Sequence, residues 1–185
     1  MGRPWTVCLL MLCVPLTAHG QSAGGEWYVN PYLGGITPDK PWGATGSAAL
    51  IGVDLGAKLS AAWSSELDVE DGMLRDRADS GHSNLYGVAL AALRVFDRGG
   101  LLAPYLSLGA GASCFAPAAH SALASRTEFM WQAGGGTLVR LWAPADGASS
   151  LALRPEIRVR WTHGWAHAPG NPVDPLYALG LMFSF

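Results

Sequence analysis

Hydrophobic residues fall on every second position over much of this chain. At the C-terminus Tyr177, Leu179, Leu181, Phe183 and Phe185 alternate with the small or flexible Ala178, Gly180, Met182 and Ser184. A period of two marks an extended strand, whose successive side chains point to opposite faces. Residues 151–162 behave alike. Leu151, Leu153, Ile157, Val159 and Trp161 share one parity; Ala152, Arg154, Glu156, Arg158, Arg160 and Thr162 share the other. Trp63, Leu67 and Val69 oppose Ser64, Glu66, Asp68 and Glu70. Ile51, Val53, Leu55, Ala57 and Leu59 oppose Gly52, Asp54, Gly56 and Lys58.

Weaker patterns fill the gaps. Residues 27–36 predict a first strand despite Pro31. Residues 84–96 predict a strand with both parities apolar, so its facing stays open. In 102–114 Leu106, Leu108, Ala110 and Ala112 oppose Tyr105, Ser107, Gly109, Gly111 and Ser113. In 127–141 Phe129, Trp131, Ala133 and Val139 oppose Glu128, Gln132, Gly134, Gly136 and Arg140. No segment keeps a helical period, and 24 glycines disfavour long helices. Long connections (38–45, 71–81, 115–126, 164–173) alternate with shorter ones near Ser60, at 97–100 and at 143–148. That pattern predicts an all-β fold: an eight-stranded antiparallel up-and-down transmembrane β-barrel with both termini at the periplasmic end.

Composition sharpens this picture. The chain is 50% hydrophobic and 14% charged, against about 25% charged residues in soluble domains. Beyond the first 20 residues no apolar run reaches the ~18 residues of a membrane-crossing helix. Residues 1–20 read as a cleaved export signal. Arg3 supplies the positive charge, residues 5–16 the apolar core, and Ala18 and Gly20 the small residues before a cut at Gln21. The barrel domain is then 21–185. Cys8 and Cys13 leave with the leader, and Cys114 alone allows no internal disulfide. Without Arg3 the chain holds 11 basic and 14 acidic residues, a balance that gives no reason to expect nucleic acid as a partner.

Alternation does not say which face is outside, since a soluble ligand-binding barrel turns its apolar face inward. Three features favour apolar side chains facing lipid. The other face is rich in Gly, Ala and Ser, which suit a narrow interior. It also carries both signs of charge: Asp54, Glu66, Asp68, Glu70, Glu128 and Glu156 with Lys58, Arg140, Arg154, Arg158 and Arg160. Buried charges need partners, so these residues are expected to form a structural ion network in the lumen. Aromatics near strand ends (Trp27, Trp63, Phe96, Trp131, Trp161, Tyr177 and Phe185) fit interfacial girdles.

Several stretches resemble the bacterial outer-membrane β-barrel domain family, which groups with OmpA- and OmpX-like proteins. They are Ser64-Ser65-Glu66-Leu67, Asn84-Leu85-Tyr86-Gly87 onward to Arg94-Val95-Phe96, and 103–111 from Ala103-Pro104-Tyr105 to Gly109-Ala110-Gly111. Gln132-Ala133-Gly134-Gly135-Gly136 and Arg154-Pro155-Glu156-Ile157-Arg158 belong with them. The resemblance covers nearly all of the chain after the leader, and its strength lies in the order and spacing of the stretches. It implies the fold and an outer-membrane location in a Gram-negative bacterium, with membrane lipid and lipopolysaccharide as surroundings. It implies no single activity, because such proteins include structural barrels, adhesins, serum-resistance proteins and a few enzymes. With the chain ending at Phe185, no peptidoglycan-binding domain is expected. The series Tyr177, Leu179, Leu181, Phe183, Phe185 is similar to the sorting signal read by the barrel-assembly machinery.

Candidate chemistry is sparse. His82, His120, His163 and His167 fall in or beside expected outer loops and read as solvated side chains rather than metal ligands. His82-Ser83 raises a lipid A hydrolase or acyltransferase, but neighbours on a regular strand face opposite ways and cannot pair well. Glu66, Asp68 and Glu156 share a face with arginines, which suits an ion network better than glycosidase chemistry. The glycine clusters at 34–35 and 134–136 match no phosphate-binding pattern. They read as places where tight packing excludes a Cβ. No cofactor, metal site or catalytic residue is expected. The leading expectation is a monomeric, non-enzymatic barrel whose outer loops meet a host or environmental surface. A lipid-modifying enzyme or a narrow pore are the alternatives.

The C-terminal pattern carries a test. Deleting Phe185, or making Phe185→Asp, should lower the amount of folded protein recovered from outer membranes. Undiminished assembly would remove the sorting role.

Overall fold

Eight strands follow one another along the chain: β1 (Trp27–Ile36), β2 (Ala48–Lys58), β3 (Trp63–Arg75), β4 (His82–Val95), β5 (Leu102–Ala116), β6 (Arg126–Trp142), β7 (Ser150–His163) and β8 (Val173–Ser184). This is a computed structural model, and it describes residues 26–37, 48–75, 82–117, 125–144, 149–163 and 173–185. Residues 1–20, most of the outer connections, His120 and His167 lie outside the described residues. Each strand pairs antiparallel with the next, and β8 pairs with β1 to close the barrel. Trp27 and Phe185 lock this seam by exchanging backbone hydrogen bonds of 3.0 and 2.8 Å.

The register fixes the shape. Paired residues lead from Trp27 through Ala57, Ser65, Ala92, Leu108, Ala133, Val159 and Pro175. The path returns to β1 at Thr37, whose N–H donates to the Pro175 carbonyl. The stagger is thus ten residues (27 to 37), and a closed sheet with such a stagger tilts its strands by about 35–45°. An eight-stranded barrel is then only wide enough for side chains to fill it.

The expected faces are the observed ones on all strands where the pattern decides. Leu33, Ile51, Leu55, Leu106, Leu108 and Ile157, among others, are exposed on the outer wall. β4 resolves the ambiguous case: Leu85, Ala89, Ala91 and Leu93 point inward and Leu90 outward. Pro31 also faces outward, so β1 turns Tyr28, Asn30 and Tyr32 into the lumen.

Two expectations need correction. β3 runs on to Arg75, so the connection to β4 is only 76–81, the same length as 96–101 between β4 and β5. Long and short connections therefore do not alternate strictly. β8 begins at Val173, inside the connection expected at 164–173, and the neighbouring Asp174 lies opposite Arg160 and is fully buried. The inward parity of β8 reaches back beyond Tyr177, but the apolar Leu176 on that face hides it. β7 pairs with β8 in unbroken register through Pro155, and the pairing of β6 with β7 shifts between Arg140 and Trp142.

The interior is layered. At the outer end Ile36, Leu50, Leu74, Leu85, Phe115 and Leu176 make an apolar plug. Charged and hydroxyl groups fill the middle. Smaller apolar clusters around Met182 and Leu93 line the end that holds the termini. Glycines make room for the lumenal tyrosines. The Tyr28 ring lies where a Cβ on Gly56 would stand, and the Tyr32 ring does the same over Gly52.

This packing makes Gly56 a sensitive position. Gly56→Val should displace Tyr28 and destabilise the barrel by about 1–3 kcal/mol, as overpacking does. Gly100→Ala in a turn, with open space around it, should change stability by less than about 0.5 kcal/mol. Urea unfolding in lipid vesicles measures both, and equal midpoints would contradict the packing described.

Candidate functional site in the lumen

β7 and β3 stand opposite each other across the barrel. β7 turns Arg154, Glu156, Arg158 and Arg160 inward at alternate positions, and β3 turns Glu66, Asp68 and Glu70 inward. The side chains meet across the lumen. Arg154 donates from Nη1 to Glu66 Oε2 at 2.6 Å and from Nη2 to Oε1 at 3.2 Å. Arg158 bonds Asp68, and Arg160 bonds Glu70. Three rungs of opposite charge therefore span the diameter.

Neighbouring groups bind the rungs together. Glu156 lies between two arginines, 3.0 Å from Arg154 Nη2 and 3.4 Å from Arg158 Nε. Asp54 on β2 stands 3.4 Å from Arg154 and accepts from Asn30 Nδ2 at 2.7 Å. Five carboxylates thus touch three guanidinium groups. Neutral donors help to satisfy the excess oxygens. The Tyr28 hydroxyl donates to Glu66 at 3.0 Å, the Tyr32 hydroxyl to Asp68 at 2.7 Å, and Gln132 Nε2 to Asp68 at 3.3 Å. Ser107 Oγ donates to Glu156 at 3.3 Å. Aromatic faces complete the surroundings: Arg154 lies 4.8 Å from the Tyr105 ring centre and Arg158 5.1 Å from that of Tyr32. Arg154 is 1% exposed and Arg160 0%.

Three residues expected in this network sit apart from it. Lys58 and Arg140 have the inward parity but stand at the rim beside the turns. Lys58 pairs with Glu26 and Arg140 with Asp97, all four side chains more than a third exposed or close to it. At the mouth water solvates a long side chain, so parity no longer means burial. Glu128 is buried near the start of β6, with Arg126 Nε at 4.0 Å. Sequence reasoning missed Tyr28, Asn30, Tyr32 and the hydroxyl of Tyr105, which accepts from Arg154 Nε at 2.8 Å. Alternation around Pro31 was the available signal for the first three.

The arrangement suits cross-bracing better than catalysis. The carboxylates of the rungs are held by arginines, and Ser83 is buried facing the lumen. The His82 and His163 side chains lie outside the described residues. Among the described residues no group of three or more His, Cys, Asp or Glu side chains is placed to hold a metal ion. Below the rungs a vestibule of about 530 Å³ opens toward the turns, with Leu93, Val95, Leu138 and Met182 on its walls. Tyr28, Tyr105 and Arg154 line its inner end. On the outer wall Tyr177, Leu179, Leu181, Phe183 and Phe185 all take the outward parity of β8 and its end.

No protein-family model matches the sequence, and no curated protein does. Solved structures do. Neisserial surface protein A is 15% identical with a TM-score of 0.65, covering 88% of this chain and 98% of its own. The outer membrane protein OprG from Pseudomonas aeruginosa is 13% identical with a TM-score of 0.57, covering 87% and 96%. The attachment invasion locus protein Ail of Yersinia pestis, in complex with the heparin analogue sucrose octasulfate, is 13% identical with a TM-score of 0.52, covering 87% and 99%. At these identities the likeness is one of fold, and the fold is that of eight-stranded outer-membrane barrels, as the resemblance implied.

The rungs differ from the rim pairs in what their loss should cost. Arg154→Ala leaves Glu66 and Asp54 without their cation and Glu156 with Arg158 alone, and should destabilise the barrel by about 3–5 kcal/mol. Lys58→Ala removes an exposed pair and should cost at most about 1 kcal/mol. Asp174→Ala should not behave like a loop change, because that carboxylate is buried. Urea titration of the folded barrels separates these cases, and equal effects for Arg154→Ala and Lys58→Ala would overturn the assignment of rung and rim.

Proposed function

We propose that this chain is an outer-membrane β-barrel of a Gram-negative envelope that meets its surroundings through its outer loops. The observation that carries the reading is the division of the wall. Bulky apolar side chains cover the outside, while charged groups bridge the inside. A soluble barrel needs the reverse, since exposed apolar patches beyond a few hundred Å² are rare on soluble monomers. Residues 1–20 direct export and are removed, and 21–185 form the barrel domain. The alternating C-terminus ending at Phe185 engages the barrel-assembly machinery. The protein stands as a monomer among phospholipid and lipopolysaccharide, because closure leaves no free sheet edge for pairing.

The loop role is structural or adhesive rather than catalytic. Its ligand class is a host or environmental surface molecule, and the fold shared with a protein crystallised with a heparin analogue supports that choice. Inward-facing Ser83 speaks against a lipid-side nucleophile. The apolar plug and the three rungs close the outer end and the middle of the lumen, which speaks against a pore.

Protein refolded in detergent should give a β-type circular dichroism spectrum and migrate differently before and after heating. It should produce no conductance steps in planar bilayers and no lipid A modification, and should bind a host-matrix or sulfated-glycan surface. Full solubility without detergent would remove the membrane reading. Lipid A turnover or stable conductance would replace the loop role by the enzyme or the pore.

A further inference from the structure

Among the described side chains on the outward parity of the strands, only Asp71 and Arg94 are charged. They cannot pair with each other. Arg94 lies opposite Trp63, eight residues along β3 from Asp71, a separation of about 26 Å at the rise of a strand. No carboxylate pairs with Arg94 among the described residues. Its contacts are aromatic: the guanidinium carbon is 5.6 Å from the Trp63 ring centre and 5.3 Å from that of Phe96.

Position gives this charge a meaning. Trp63 begins β3 next to a turn, and Phe96 follows the end of β4. Both lie at the end that holds the termini, where Trp27 and Phe185 are also exposed. Leu106 stands directly across from Arg94 on β5, with Leu108 two residues on and Leu90 four residues back along β4, all outward and exposed. An arginine at the level of lipid headgroups costs little, whereas at the bilayer midplane it costs about 2–4 kcal/mol. Two flanking rings restrict the guanidinium, and its planar donor fork matches a phosphate oxygen pair.

We propose that Arg94, Trp63 and Phe96 form a phospholipid site on the periplasmic side of the wall. The guanidinium binds the phosphodiester of a lipid in that leaflet, and the acyl chains lie along Leu90, Leu106 and Leu108. The site rests on the membrane reading above and deepens it, replacing a uniform apolar belt by one with a specific headgroup contact.

Native mass spectrometry of the full barrel released from detergent tests it, with phosphatidylethanolamine as the probe. Diacylglycerol, which lacks the phosphate, and inorganic phosphate are the comparison ligands. Folding is checked in each sample by heat-modifiable migration. Wild type should retain one phosphatidylethanolamine, and Arg94→Gln should weaken that retention about tenfold. Arg98→Gln, which removes an exposed turn cation of the same hairpin, should retain lipid like wild type. Diacylglycerol and inorganic phosphate should not be retained. Equal retention by Arg94→Gln overturns the site while leaving the membrane reading intact. So does equal retention of diacylglycerol, which makes the contact purely apolar, or Arg94-dependent binding of inorganic phosphate alone. A wild type that stays monodisperse without detergent overturns the membrane reading itself, and the site with it.

Discussion

Three arginines of β7 must share a narrow lumen with the carboxylates of β3, and most of the structure follows from that meeting. A guanidinium in a closed interior is tolerable only when its charge is matched and its donors are used. Arg154, Arg158 and Arg160 find Glu66, Asp68 and Glu70 because an eight-stranded barrel puts β3 and β7 on opposite walls. The bridges tie strands far apart in sequence. Backbone pairing holds each strand to its two neighbours; the rungs hold one half of the wall to the other.

The remaining interior serves those rungs. Five carboxylates on three arginines would repel one another, and Tyr28, Tyr32, Asn30 and Gln132 supply neutral donors that spread the negative charge. Tyrosine rings need space in so small a barrel, and Gly52 and Gly56 provide it on the neighbouring strand. The apolar plug above and the apolar vestibule walls below bracket the rungs. With the inside committed to charge, the bulky apolar residues have only the outside to occupy.

Much of this was legible in the sequence because a strand's two faces are written at alternate positions. The arginines and glutamate of β7 and the acids of β3 share a parity that one read of the chain reveals. The facing of β4 was not legible, since Leu85 and Leu93 inside and Leu90 outside are equally apolar. Only the plug and the vestibule explain why leucine belongs on the inner face there. Parity also carries no depth, so Lys58 and Arg140 looked lumenal although both end at the solvated rim. Which acid meets which arginine depends on the stagger of the closed sheet, a property of all eight pairings together. Asp174 escaped notice because its alternation is masked by Leu176, and Arg94 because a single charge among apolar neighbours has no period.

The most direct measurement is a spin-label scan along β5 in lipid bilayers, in a Cys114→Ser background, placing one nitroxide at a time on residues 105–111. β5 carries none of the charged residues, and of the labelled positions only Tyr105 and Ser107 bond a charged group of the network. Oxygen, which concentrates in lipid, should relax labels at 106, 108 and 110 strongly and those at 105, 107, 109 and 111 weakly. The opposite phase, or no alternation, would mean that the apolar face does not meet lipid and that the charged rungs do not line the lumen of a membrane barrel.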